Sequence, residues 1–154
     1  MRLRILTTFL LLMAVTVQVQ AQASVQQEVQ SAIEKLFDGM RESDSSKVAS
    51  VFTKDAIMQT VVKNQEGMVT LNNGNLEGFL KAVGTDKNEI WDERIGGYEI
   101  KVDGELASAW TPYQFYRGDN FSHCGVNSFQ LMNSEEGWKI FHIVDTRRRD
   151  NCVN

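Results

Sequence analysis

The second half of this chain is almost continuously strand-forming, and that restricts its fold more than any other feature. Two long runs, Trp91 to Val102 and Glu105 to Tyr116, flank Asp103-Gly104, a strong two-residue hairpin signal. Two more, Phe121 to Met132 and Trp138 to Thr146, flank Ser134-Glu135-Glu136-Gly137, a second hairpin turn. Consecutive strands joined by tight turns pair antiparallel, so the C-terminal half reads as a meander. Pro112 sits inside one of these strands and has no N–H for the ladder, so it marks an edge or a bulge.

A meander has an apolar face that something must cover, and the first half of the chain supplies helices. Val25, Val29, Ile33, Leu36, Phe37 and Met40 recur at three- and four-residue steps and make one apolar stripe, with Ser24 as N-cap. A short second helix is expected from Ser45 to Phe52. Ala56 to Val62 reads as a strand, with Glu66 to Leu71 as its hairpin partner and Asn72-Asn73-Gly74 as the following turn. A third helix fits Leu76 to Val83, with Gly84 as its stop. Helices and strands in separate blocks indicate an α+β domain, a strongly curved antiparallel sheet wrapped on the N-terminal helices.

Ahead of this domain lies a stretch with the pattern of a signal peptide. Arg2 and Arg4 give a basic start, an apolar run extends from Ile5 to Val17, and Ala21-Gln22-Ala23 is a small-x-small cleavage site. The competing reading is a membrane anchor, but the strongly apolar part is shorter than the ~20 residues that span a bilayer. The expected division is therefore residues 1–23 as signal and 24–154 as domain, in an exported protein that is periplasmic or extracellular. The net charge is −4, and the removed segment carries two arginines and no acid, so the mature domain is more acidic still. That argues against nucleic acid and anionic membrane surfaces as partners and suits a small molecule or a protein. The two cysteines, Cys124 and Cys152, form a disulfide in an oxidising compartment or else remain separate thiols. They and the two histidines have no zinc-site spacing, and no cofactor or metal motif is present.

Several stretches resemble a known superfamily. Asp44 to Ala56 is similar to the segment that links the second helix to the first strand in nuclear transport factor 2-like proteins, and Gly137-Trp138-Lys139-Ile140 to the start of their last strand. Ser122-His123-Cys124-Gly125-Val126, followed by Trp138 and Asp145-Thr146-Arg147-Arg148-Arg149, looks like a branch near the families named for polyketide cyclases and for lumazine binding. The resemblance implies a cone-shaped sheet with a deep pocket. Ketosteroid isomerase and scytalone dehydratase, members with known chemistry, place a carboxylate or a histidine with polar donors inside the cone, but their catalytic motifs have no residue-by-residue match here.

The candidate chemistry follows from strand pairing. A turn near Glu135 sets Gly125 opposite Asp145, Asn127 opposite Ile143 and Phe129 opposite Phe141. His123 is then opposite Arg147 and diagonal to Asp145, at the roughly 7–8 Å of diagonal neighbours. A His123–Asp145 pair would suit acid–base catalysis, the carboxylate fixing the imidazole tautomer and raising its basicity, with Gly125 leaving room for a ligand beside both. The alternative is an Asp145–Arg147 ion pair with a purely structural role. Tyr98 and Tyr113 are expected to line the pocket with Asn127 and Arg147, or else simply to pack in the core. His142, Trp138, Ile140 and Val144 fall on the opposite face. Trp110 points outward with Glu99 and Lys101 and suggests a homodimer surface. Arg147-Arg148-Arg149 either grips an anionic group or is a solvated tail. Three functions fit: a small-molecule-binding module, an isomerase, dehydratase or cyclase using the His123–Asp145 pair, and a dimeric interaction protein without a ligand.

Overall fold

The structure, a computed structural model, describes residues 24–85 and 89–152. The expected signal peptide lies outside the described residues. Helix α1, residues 24–42, buries the predicted stripe Val29, Ile33, Leu36, Phe37 and Met40. It ends where Ser43 takes a positive φ of 57° and Asp44 N–H bonds back to the Gly39 carbonyl at 2.9 Å. A Cβ on Gly39 would lie 2.7 Å from Val48 Cγ2, so glycine there lets helix α2 (Ser45–Ala49) pack close against α1. The Asp44 side chain caps α2 by accepting from Lys47 N–H at 2.9 Å. The helix stops short of the expected Phe52, because the sheet claims that backbone: Ile140 N–H donates to the Val51 carbonyl at 2.7 Å, and Phe52 begins strand β1.

Strands β1 (Phe52–Lys63) and β2 (Val69–Gly74) form the expected hairpin, but β2 begins later and runs on through the Asn72-Asn73-Gly74 expected as the following turn. Asn64 accepts from Glu66 and Met68 N–H through its side chain, Gly67 takes a φ of 86°, and the chain reverses there. Asn72, Asn73 and Gly74 are consequently strand residues paired with Thr60, Gln59 and Met58. Helix α3 (Leu76–Gly84) follows at once, capped by Asn75, which accepts from Gly78 N–H at 2.7 Å.

The stretch expected as one strand from Trp91 is two, β3 (Trp91–Ile95) and β4 (Glu99–Asp103), both on the same edge of β5 (Leu106–Arg117). The break at Gly96-Gly97-Tyr98 lies beside Pro112, whose carbonyl accepts from Gly96 N–H at 2.8 Å. Strands β6 (Asn120–Ser134) and β7 (Gly137–Thr146) complete a sheet of order β2-β1-β7-β6-β5-β3. The pairings are antiparallel except β1 with β7, which run parallel, a departure from the all-antiparallel expectation. The sheet is strongly curved and unclosed. Its concave face packs Ala107, Ala109, Phe129, Leu131 and Ile140 against α1, with the Phe37 and Phe129 rings edge to face at 6.3 Å.

Between β6 and β7 the register differs from the expected one by two residues. The turn is the tight Glu135-Glu136 loop closed by the Ser134–Gly137 pair, and Phe141 is an extra, bulged residue on β7. Asn127 is therefore opposite Asp145, and Phe129 opposite Ile143. One inserted residue also exchanges faces along the rest of the strand. Trp138 and Ile140, expected outside, are in the core at 7% and 0% exposure, while His142 stays outside with Nε2 2.9 Å from Gln59 Oε1. Trp110 is 49% exposed opposite Glu99, on the outer face as expected.

Candidate functional site

Above the packed half of the cone the same concave face lines two adjoining spaces, a first lobe of about 350 Å³ and a second of about 520 Å³. Met40, Phe79, Glu93, Asp145 and Arg147 belong to the walls of both. The first lobe extends between α1 and the β1 and α3 ends, past Leu36, Met58 and Ile143. The second extends over Trp91, Tyr113, Phe115 and His123.

Each polar group where the lobes meet is placed by strand alternation. Trp91, Glu93 and Ile95 share one face of β3, and the apolar pair packs on the core, so Glu93 is carried inward between them. Its Oε1 accepts from Asn127 Nδ2 at 2.7 Å. Burial pushes the Glu93 carboxyl up to about 7; the Asn127 bond pulls it down, the Asp145 charge pushes it up and the Arg147 charge pulls it down. At neutral pH it is therefore poised between donor and acceptor. Asp145 accepts from Arg147 Nε at 2.7 Å and, at the long limit of 3.4 Å, from the Tyr113 hydroxyl. Burial pulls the Arg147 guanidinium down, but the hydrogen bond and charge of Asp145 outweigh it and hold it above its ordinary value.

The expected His123–Asp145 pair is not formed. His123 lines the second lobe with Asp145, yet its Nδ1 is 3.0 Å from Ser122 Oγ, and Asp145 is engaged by Arg147 and Tyr113. Its ring packs against Tyr113 and Phe115, at centroid distances of 5.7 and 5.2 Å. Burial, with Arg147 next, lowers the imidazole pKa, and the opposing pull of Asp145 does not restore it, so the expected gain in basicity is reversed. The two-residue register displacement accounts for the lost pair: Asn127, not Gly125, is opposite Asp145.

Gly125 leaves no room for a ligand either. A Cβ there would fall 1.8 Å from the Thr146 carbonyl oxygen and 2.9 Å from Tyr113 Cε1, because the tyrosine lies across it and donates to that carbonyl at 3.0 Å. Tyr113 and Asn127 line the site, one in each lobe. Tyr98 does not; it borders a neighbouring polar cleft of about 290 Å³ with Glu34, Asp38 and Arg41, whose wall also includes Glu93, and burial pushes its hydroxyl up to about 12. Glu93 was absent from the residues expected in the site, although its place between Trp91 and Ile95 in an alternating strand was a readable signal.

Beyond the site, Cys124 and Cys152 are joined in a disulfide with Cα atoms 5.7 Å apart. The tail runs back beside β6, with the Cys124 and Arg148 backbones exchanging two 2.8 Å hydrogen bonds. Of the three arginines, Arg147 is the one at the cavity. Among the described residues no group of three or more His, Cys, Asp or Glu side chains is arranged to hold a metal ion.

The sequence profile of the family described as "Putative lumazine-binding" matches residues 24–144. The chain belongs to this family. Several of the solved structures it resembles are described as nuclear transport factor 2-like. A Mycobacterium tuberculosis protein of unknown function superposes with a TM-score of 0.69 at 15% identity, over 85% of this chain and 76% of that one. A nuclear transport factor 2-like protein with a cystatin-like fold from Novosphingobium aromaticivorans gives 0.66 at 11% identity, over 88% and 89%. A nuclear transport factor 2-like protein of unknown function from Shewanella baltica gives 0.57 at 15%, over 86% and 97%. At such identities the likeness of these structures concerns fold alone. Among curated proteins no sequence relative matches.

Proposed function

We propose that this family member is an exported small-molecule-binding module whose ligand occupies the two-lobed cavity. The observation that carries the reading is the Glu93, Asn127, Asp145 and Arg147 cluster set into apolar walls. A concave, largely apolar cavity with a few convergent polar groups and a perturbed carboxyl is the usual form of a ligand site. Export is supported by the basic, apolar and small-residue order of the first 23 residues and by the disulfide. Native mass spectrometry on the protein purified from the exported fraction of its own host tests both parts. A bound small molecule on a chain that begins near Ser24 is the expected result; a bare mass at full occupancy of the folded state argues against the module. Titration with lumazine, the compound in the family's description, asks directly whether that description extends to this chain.

A second reading is favoured by the Glu93 carboxyl. A group that titrates near about 7 on a cavity wall suits proton transfer in an isomerase, dehydratase or cyclase, with Glu93 rather than His123 as the acid–base residue. In that case Glu93→Gln abolishes turnover of the recovered molecule and keeps its binding, whereas His123→Ala leaves turnover in place. Loss of neither binding nor turnover in Glu93→Gln sinks the enzyme reading.

A further inference from the structure

The polar cluster is not at the end of the cavity. Glu93, Asp145 and Arg147 are wall residues of both lobes, as are Met40 and Phe79, so the charged groups border both spaces. A pocket that ends on its polar groups holds a ligand by one polar tip. A pocket with apolar space on either side of them fits a molecule whose polar part is internal.

The lobes also differ in what their walls offer. The first alone has the aliphatic side chains Leu36, Met58 and Ile143 in its walls, together with the rings of Phe37, Phe52 and Phe79. Unbranched methionines adapt to irregular, flexible apolar shapes. In the second, Trp91, Phe115, His123 and Tyr113 form a continuous series of ring contacts, with successive centroids 6.1, 5.2 and 5.7 Å apart, edge to face at its two ends and tilted at 47° between Phe115 and His123. Rings arranged in that way favour a planar aromatic guest, which completes the series at its faces and edges.

Resting on the binding reading above, we propose that the ligand has two arms: a flexible aliphatic arm in the first lobe, a planar aromatic arm in the second, and a compact secondary-amide-like linker against Glu93, Asp145 and Arg147. Such a linker supplies one N–H donor for the carboxylate side and one carbonyl acceptor for the guanidinium side. A linker with a full charge meets an already compensated Asp145–Arg147 pair and gains less.

The test uses three probes on the purified protein, followed by nuclear magnetic resonance: 1-hexanol, indole, and their linked form N-hexylindole-3-carboxamide. Hexanol is expected to shift the Met58 methyl and indole the His123 and Phe115 ring resonances. Each is expected to bind with its affinity changed less than twofold by the other, and the linked amide to bind at least 100-fold more tightly than the better fragment, as linkage of two compatible sites produces. Ser122→Trp, which fills the second lobe, should remove indole binding and leave that of hexanol. Competition between hexanol and indole for one place, or a linked amide no tighter than indole, overturns the two-armed ligand and leaves a one-lobed binding module standing. Binding of one fragment alone likewise overturns the two-armed ligand and not the module, whereas failure of both fragments to bind overturns the binding reading as well.

Discussion

Strands β5, β6 and β7 present the same concave face along their whole length, but its two halves have opposite characters. Toward one end it carries Ala107, Ala109, Phe129, Leu131 and Ile140, all nearly inaccessible and covered by α1. Toward the other it carries Tyr113, Asn127, Asp145 and His123, with Glu93 joining from β3. The first half is packed to exclude water and contributes stability. The second keeps space and polar groups that cost folding energy unless they are paired, which is why its residues are tied in couples: Glu93 to Asn127, and Asp145 to Arg147. One sheet thus serves as a core and as a binding surface, and on β6 the change occurs within two residues, between Phe129 and Asn127.

Four substitutions break or sharpen that contrast. The largest effect belongs to the packed half. Phe129→Ala should cost about 3–5 kcal/mol, because the ring is fully buried against Phe37 and leaves a cavity. Urea unfolding measures it, and the cost should be the same at pH 5 and pH 8.5. Next is the tail: with Cys124 and Cys152 separated by 28 positions in the sequence, Cys152→Ala should lose about 3–4 kcal/mol by freeing the unfolded chain. A loss under about 1 kcal/mol in the same titration would mean the strap is dispensable.

Glu93→Gln should act with the opposite sign and depend on pH. The folded value of about 7 lies above the ordinary 4.5 of a free Glu, so folding favours the protonated form. Its contribution is fully present below pH 4.5 and is lost as pH rises through about 7. Allowing for water in the cavity, the difference amounts to about 1–3 kcal/mol. The variant should therefore be more stable than the parent protein at pH 8.5 and not at pH 4.5, and a difference that ignores pH would remove Glu93 from the polar half. The smallest change is Tyr113→Phe, which deletes the bond to the Thr146 carbonyl and should cost about 1 kcal/mol. A cost above 3 kcal/mol would place the tyrosine with the core.

Much of the fold was legible in the chain. The α1 stripe and the α3 boundaries are local signals, and both are met in the structure; the hairpin signal at Asp103-Gly104 is met one residue later, as a Gly104-Glu105 loop closed by the Asp103–Leu106 pair. The site was legible in part. Strand alternation put His123, Asn127, Asp145 and Arg147 on one face, and a displacement of two residues preserves that face. It did not preserve partners. The His123–Asp145 pair depended on a register that the Phe141 bulge shifts, and nothing near Phe141 marks it as a bulge. Tyr98 was assigned to the pocket as though β3 and β4 were one strand; the break at Gly96-Gly97 directs it to another cleft.

What the sequence determined by itself was periodicity, the order of the elements, and which side chains share a face. These depend on dihedral preference and hydrophobic spacing, both local to a few residues. The tertiary structure alone decided that β1 lies parallel to β7, that Trp138 and Ile140 turn into the core, and that Glu93 meets Asn127 across 34 residues of chain. Those outcomes depend on the pairing of distant strands, where one inserted residue reverses every side chain beyond it, and only the packing of the whole sheet selects among the registers.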